Sequence, residues 1–136
     1  MSRYRARMSG PLLDRIDIGI DVPAVPADAL AAGAPRDDEE TTARVRERVA
    51  AAREIALSRQ GRTNATLAAR DIDLYCVPDA AGAALAAQAL ARLSLSARGY
   101  HRILKVARTI ADLARCTTIG VPHVAEAIAY RRFDRG

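Results

Sequence analysis

A mainly α-helical fold is predicted for this chain by its composition and by the spacing of its apolar residues. Apolar residues make up 50% of the 136 residues, but the aromatic ones are only four Tyr and one Phe. A core of Ala, Leu, Ile and Val suits close-packed helices better than a β-sandwich. Three segments repeat apolar residues at helical spacing, Pro122 fits the first turn of a fourth helix, and one short segment alternates with a period of two. We therefore expect a four-helix-type domain preceded by a short β-strand and an Ala/Pro linker.

The strand and the linker are predicted in the first forty residues. Residues 16–22 alternate apolar and polar side chains, and Pro23 ends the pattern. Residues 23–36 are rich in Ala and Pro and are predicted as linker. Residues 37–40 are all acidic. Because adjacent carboxylates without a nearby His rarely form a metal site, we expect them to precede a helix N-terminus, where negative charge is favoured.

Four helices and one short helical turn are predicted after the linker. Their expected ranges are 42–60, a turn over 70–76, 78–93, 97–115 and 122–132. Gly61 stands where a C-cap belongs, and Pro122 fits the first turn of the last helix. The expected apolar stripe of the first helix is Val45, Val49, Ala52 and Ala56. The clearest stripe lies in the helix over 97–115 and consists of Ile103, Val106, Ala107, Ile110, Leu113 and Ala114.

The charge of the chain favours contact with phosphates. The formal net charge is +5, and Lys105 is the single lysine among 21 basic residues. The guanidinium fork of arginine matches phosphate oxygens. The alternative is arginine used in place of lysine by a coding bias and simply solvated.

Several function classes are not supported by the sequence. No apolar run approaches the roughly 20 residues that span a bilayer, and the basic start is followed by no apolar signal region. We therefore expect a cytoplasmic protein without a membrane partner. Cys76, Cys116, His101 and His123 show no zinc-ligand spacing, so we expect reduced thiols and no metal. No nucleophile elbow, zinc-protease or dinucleotide motif is present, nor is a phosphate-binding G-x-x-x-x-G-K-[ST].

Residues 7–18 read Arg-Met-Ser-Gly-Pro-Leu-Leu-Asp-Arg-Ile-Asp-Ile. They resemble the segment of AAA+ ATPases that carries an arginine finger, in the version found in the ComM branch of magnesium-chelatase-like proteins. The resemblance implies that Arg15 is catalytic and stabilises negative charge on a γ-phosphate held by a neighbouring subunit. Asp14 and Asp17 would then orient its guanidinium. Periodicity alone favours the alternative, a surface ion pair of Arg15 with one of these two carboxylates.

The helix that opens with Ser96-Ala97-Arg98 resembles the sensor-2 helix of the same family. The resemblance implies that Arg98 binds nucleotide, because it adds a full charge to the positive end of a helix dipole. Arg102 and Lys105 follow on the same face and are possible phosphate or DNA contacts. The alternative is a basic, solvated helix face.

The resemblance covers nearly the whole chain. Residues 1–22 resemble the end of an AAA+ core domain, 23–40 a linker and 41–132 the helical lid domain, and 133–136 form a tail. The longest match is 101–113, and Arg59-Gln60-Gly61 with Asn64 is a shorter one. Family members form ring-shaped, usually hexameric, ATPases that use ATP and Mg²⁺. The ComM branch is implicated in DNA branch migration, whereas true magnesium chelatases insert Mg²⁺ into porphyrin.

The function implied is that of a C-terminal lid fragment of a DNA-remodelling motor. It would contribute the arginine finger and the sensor-2 arginine to ATP hydrolysis. Its expected partners are the AAA+ core of the same protein, neighbouring subunits of the ring, and DNA. Because these residues contain no phosphate-binding loop, we do not expect the chain alone to hydrolyse ATP or to bind a cofactor tightly. The alternatives are a freestanding basic helical module that binds nucleic acid and the lid of a true magnesium chelatase subunit.

Overall fold

The computed structural model describes residues 15–28 and 40–131. Within these ranges the chain forms five α-helices: α1 Thr42–Gln60, α2 Ala69–Tyr75, α3 Ala80–Arg92, α4 Ala97–Leu113 and α5 Val121–Ala129. A 3₁₀ turn, Asn64–Thr66, precedes α2. The mainly helical fold class is confirmed. No described helix is both long and apolar enough to cross a membrane.

The helix ends follow from local capping residues. Thr41, Asp79 and Ser96 each accept a hydrogen bond from the backbone N–H three residues further on, at 3.3, 2.7 and 3.0 Å. Such caps each contribute about 1 kcal/mol. The predicted C-cap of α1 is confirmed, because Gly61 has φ 71° and its N–H donates to the Leu57 carbonyl at 2.8 Å. Glycine adopts this left-handed conformation without the steric cost of a Cβ atom.

Helix α4 is the centre of the core and packs against every other α-helix described. Of its six predicted stripe residues, Ile103, Val106 and Ala107 are buried and Ile110 and Leu113 are half-buried, whereas Ala114 is exposed because α4 already ends at Leu113. The stripe predicted for α1 is only half correct. Ala52 and Ala56 are buried, but the Val49 side chain is 52% exposed.

The strand predicted over residues 16–22 is not formed in the described chain. A strand needs a neighbouring strand to complete its hydrogen-bond ladder, and this segment lies instead against the helical domain. Its Gly19 N–H donates to the Tyr130 carbonyl at 3.0 Å. The alternating apolar side chains remain exposed, with Ile18 at 51% and Val22 at 78%.

Some sequence predictions lie outside the described residues. These are residues 1–14 of the finger segment, residues 29–39 of the linker and its acidic run, and residues 132–136. Glu40, the described acidic residue of that run, pairs with Arg48 in α1, with 3.3 Å between Oε2 and Nη2. Both side chains are about half exposed, so this pair contributes little to stability.

The two thiols are expected to differ sharply in reactivity. Cys76 is fully buried in the core, and burial raises the pKa of its thiol to about 11, whereas Cys116 is exposed. At pH 8 only about one Cys76 in a thousand is then a thiolate, and reagents cannot reach it. We expect iodoacetamide at pH 8 to label one thiol in the folded chain and two after unfolding in urea.

The matched control for this labelling is Cys116→Ser, which should abolish labelling of the folded chain. Rapid labelling of both thiols without urea would contradict the buried position of Cys76. Because the pKa of Cys76 in the folded chain lies above the 9.0 of a free thiol, its contribution to stability is present below pH 9. That contribution is lost as the pH rises toward 11.

Candidate functional site

A cleft with basic walls lies beside the N-terminal half of α4. Its volume is about 300 Å³. Its walls are formed by Leu67, Ala69, Ile72, Arg98, His101, Arg102 and Lys105. Arg98 lies in the first turn of α4 and is exposed. The positive end of a helix dipole and several cationic side chains together fit an anionic group such as a phosphate.

The three cations predicted on this face of α4 have different surroundings. Lys105 Nζ donates to the Ala65 carbonyl at 3.1 Å and so ties α4 to the 3₁₀ turn. Arg102 Nε lies 3.1 Å from Asp17 Oδ1. Arg98 is the most exposed of the three at the cleft. A nucleotide contact by Arg98, and phosphate or DNA contacts by Arg102 and Lys105, stay predictions.

Arg15 is exposed at the start of the described chain. Asp17, which was expected to orient the Arg15 guanidinium, is instead paired with Arg102. The proposed companion Asp14 lies outside the described residues. The catalytic role of Arg15 stays a prediction.

A second group of polar side chains, the polar cluster, is largely buried and joins α1, the 3₁₀ turn and α4. We define it as Arg59, Gln60, Asn64, Arg108 and Asp112. The Asp112 side chain is 1% exposed, and its carboxylate accepts from Arg59 at 2.6 and 3.0 Å and from Asn64 at 2.8 Å. It also accepts from Arg108 Nε at 3.1 Å. Gln60 completes the cluster by donating to Asn64 Oδ1 at 2.8 Å.

The Arg108 guanidinium donates hydrogen bonds both to the polar cluster and to the loop after α4. Its two terminal nitrogens donate to the carbonyls of Thr117 at 2.8 Å and Cys116 at 2.6 Å. Burial lowers the pKa of Arg108, and the Asp112 carboxylate partly opposes that shift. The Asp112 carboxylate therefore compensates the buried charge of Arg108. The two hydrogen bonds to the carbonyls of Cys116 and Thr117 fix the loop after α4.

The polar cluster was not predicted as a unit from the sequence. Every residue of the cluster lies in one of the two stretches that match the family, 59–64 and 101–113. The resemblance was therefore the one feature of the sequence that pointed to these residues. In the structure the two stretches contact each other through the side chains of the cluster, which explains why both stretches carry these polar residues.

Two other features of the described chain do not make a better site. A larger cleft of about 760 Å³ lies between α1 and the loop at 115–117, but Arg59 on its wall is already held by Asp112. Among the residues described, no three His, Cys, Asp or Glu side chains are grouped as metal ligands. His123 instead accepts a hydrogen bond from the Gly120 N–H at 3.0 Å through Nδ1 and so helps to begin α5.

The fold is a small helical domain in which the N-terminal half of the central helix α4 forms one wall of a cleft lined by basic side chains. A family profile described as "Magnesium chelatase, subunit ChlI C-terminal" matches residues 39–131, and "Magnesium chelatase, subunit ChlI" matches residues 1–30. The chain therefore belongs to the magnesium-chelatase-like AAA+ family, of which it carries the lid portion. This confirms the resemblance read from the sequence.

Individual relatives agree with this assignment. The chain is 47% identical over 133 residues to competence protein ComM of Haemophilus influenzae. It is 42% and 40% identical over 133 residues to the uncharacterized proteins YifB of Salmonella typhimurium and Escherichia coli. Each of these comparisons covers 98% of this chain and 26% of the relative. The chain thus spans about a quarter of the length of the curated relatives that it matches.

Proposed function

We propose that this chain is the nucleotide-sensing lid of a ring-shaped ATPase that remodels DNA. The observation that carries the proposal is the place of Arg98, exposed in the first turn of α4 at a cleft with basic walls. Membership of the magnesium-chelatase-like AAA+ family supports ATP with Mg²⁺ as the nucleotide of a full-length protein that carries this chain. Arg98 would contact the γ-phosphate and report its presence to the lid.

The residues of this chain then have two separate tasks. Arg98 adds its charge to the dipole of α4, so that an anion in the cleft is held by the helix end and by a side chain together. Arg15 would act on the nucleotide of a neighbouring subunit as an arginine finger. The boundaries proposed for these tasks are a core-domain end at 1–22, a linker at 23–40, a lid at 41–132 and a tail at 133–136.

DNA is proposed as the polymer on which the complete ring acts. The net charge of +5 supports this choice, as does the similarity to a protein named for competence. Exposed arginines on α1, among them Arg44, Arg46 and Arg53, add positive charge outside the cleft. Binding of the chain alone to double-stranded DNA with a steep salt dependence and no response to nucleotide would favour a freestanding DNA-binding module instead.

Replacing Arg98 with alanine tests the sensing role. In a full-length protein that carries this chain, we expect the affinity for a non-hydrolysable ATP analogue to fall by roughly 10- to 100-fold, since a charge-assisted hydrogen bond contributes about 1.5–3 kcal/mol. Affinity for ADP should change much less, because ADP lacks the γ-phosphate. Both affinities can be measured by titration with a fluorescent nucleotide.

The matched control is Arg53→Ala, which removes an exposed arginine of α1 away from the cleft. It should leave both affinities unchanged. If Arg98→Ala alters neither nucleotide affinity nor ATP turnover, Arg98 is not a sensor.

A further inference from the structure

Three contacts hold residues 16–19 against the helical domain, although more than eighty residues separate the partners. Arg102 pairs with Asp17 at 3.1 Å, and Arg131 Nη1 donates to the Ile16 carbonyl at 3.3 Å. The Gly19 N–H donates to the Tyr130 carbonyl at 3.0 Å. The segment that carries Arg15 is therefore attached both to α4 and to the chain just after α5.

Of the three contacts, the Asp17–Arg102 pair is the one formed by two charged side chains. Arg102 lies one turn after Arg98 on α4, and its side chain is only 16% exposed, compared with 49% for Asp17. Because one partner is largely buried, solvent weakens this pair less than it weakens a surface pair. The contact joins a residue two positions from Arg15 to a residue one turn from Arg98.

Arg102 also belongs to the wall of the cleft. Its Nη1 atom is buried and has no hydrogen-bond partner within the described chain. A buried donor without a partner is costly, but because Nη1 is buried, an anion in the cleft would bond to it only by displacing the Arg102 side chain. Such a displacement would also move the Nε atom that holds Asp17.

We propose that the Asp17–Arg102 ion pair couples the segment that carries Arg15 to the sensing helix α4. Arg102 is then a positioning residue for Arg15, and occupancy of the cleft is communicated to the finger segment through its guanidinium. This inference rests on the proposed function for the role of Arg15, but the coupling itself is a property of the described contacts. In this proposal Asp17 links the segment to Arg102, whereas the sequence had suggested that it orients the Arg15 guanidinium.

The first test compares Asp17→Asn, Arg102→Gln and the double variant in a full-length protein that carries this chain. We expect each single change to lower kcat for ATP hydrolysis at least about tenfold, because a displaced catalytic group loses much of its effect. The nucleotide affinity should change little with Asp17→Asn. The double variant should be no slower than the slower single one, since both changes break one link.

The second test needs no hydrolysis. Within residues 16–19, the amide of Gly19 is the one hydrogen-bonded to Tyr130 in the described chain, and its hydrogen exchange should accelerate in Asp17→Asn and in Arg102→Gln. Lys105→Gln is the matched control, because Lys105 shares the face of α4 but bonds to Ala65. That variant should leave exchange at residues 16–19 unchanged.

Two outcomes would overturn the coupling. One is unchanged exchange at residues 16–19 in both variants. The other is a kcat effect of Arg102→Gln that Asp17→Asn does not share, which would make Arg102 a phosphate ligand only. A failure of the proposed function is distinguishable, because Arg15→Ala would then leave turnover intact while the exchange result still reports on the ion pair.

Discussion

Replacing Arg15 with alanine in a full-length protein that carries this chain is expected to lower ATP turnover by roughly 10³–10⁵-fold. The reason is that phosphoryl transfer spreads negative charge over the γ-phosphate oxygens, and an arginine finger stabilises that charge in the transition state. Nucleotide affinity should remain nearly unchanged, because the finger contributes little to the ground state. Turnover is measured by phosphate release and affinity by titration with a fluorescent nucleotide.

Two variants control this experiment. Arg15→Lys keeps the charge but loses the planar fork, so its turnover should remain well below that of the original protein. Arg53→Ala removes an exposed arginine of α1 and should leave turnover unchanged. Rings assembled from mixed Arg15→Ala and intact subunits should lose activity if the finger acts across the interface. Unchanged turnover in Arg15→Ala would refute the finger.

Replacing Asp112 with alanine is expected to destabilise the chain by about 3–5 kcal/mol. The change removes the acceptor of Arg59, Asn64 and Arg108 and leaves the Arg108 charge buried without its carboxylate. Much of the stability of an ordinary domain would be lost, since that stability is only about 5–15 kcal/mol. Urea unfolding followed by circular dichroism measures the free energy of unfolding.

Asp112→Asn keeps the shape and one acceptor oxygen and should lose less stability than Asp112→Ala. The matched control is Asp73→Ala in α2, because this carboxylate is exposed. It should shift the free energy of unfolding by no more than about 0.5 kcal/mol. A loss for Asp112→Ala as small as that of Asp73→Ala would mean that the polar cluster contributes little to stability.

The helices could be predicted from the sequence because their signals are local. The stripe of α4 and the cap at Gly61 each depend on residues within a few positions of one another, and the structure has the cap and the first half of the stripe, Ile103 to Ala107. The exposure of Val49 was not predictable in this way, because a helical period does not reveal how much of α1 packs on its neighbour. The buried part of α1 is its C-terminal half, where Ala52 and Ala56 lie.

The cleft and the polar cluster could be predicted only in part, because their contacts are long-range. Arg59 meets Asp112 across 53 positions of the chain, and nothing in the local pattern of either residue indicates the other. The strand predicted over 16–22 failed for a related reason, since alternation of side chains does not supply a pairing partner. Resemblance to a family and the charge of α4 singled out Arg98, Arg102 and Lys105, but the cleft that they line was visible only in the structure.

The polar cluster also determines how α1 is aligned along α4. The buried apolar residues of α1 are two alanines, and small side chains alone would tolerate a slide of one helical turn, about 5.4 Å. Such a slide would break the contact between Arg59 and Asp112, and the buried Asp112 carboxylate would lose two of its hydrogen-bond donors. The free-energy cost of this lost contact favours one register of α1 along α4. A single buried polar residue selects the register of a coiled coil in the same way.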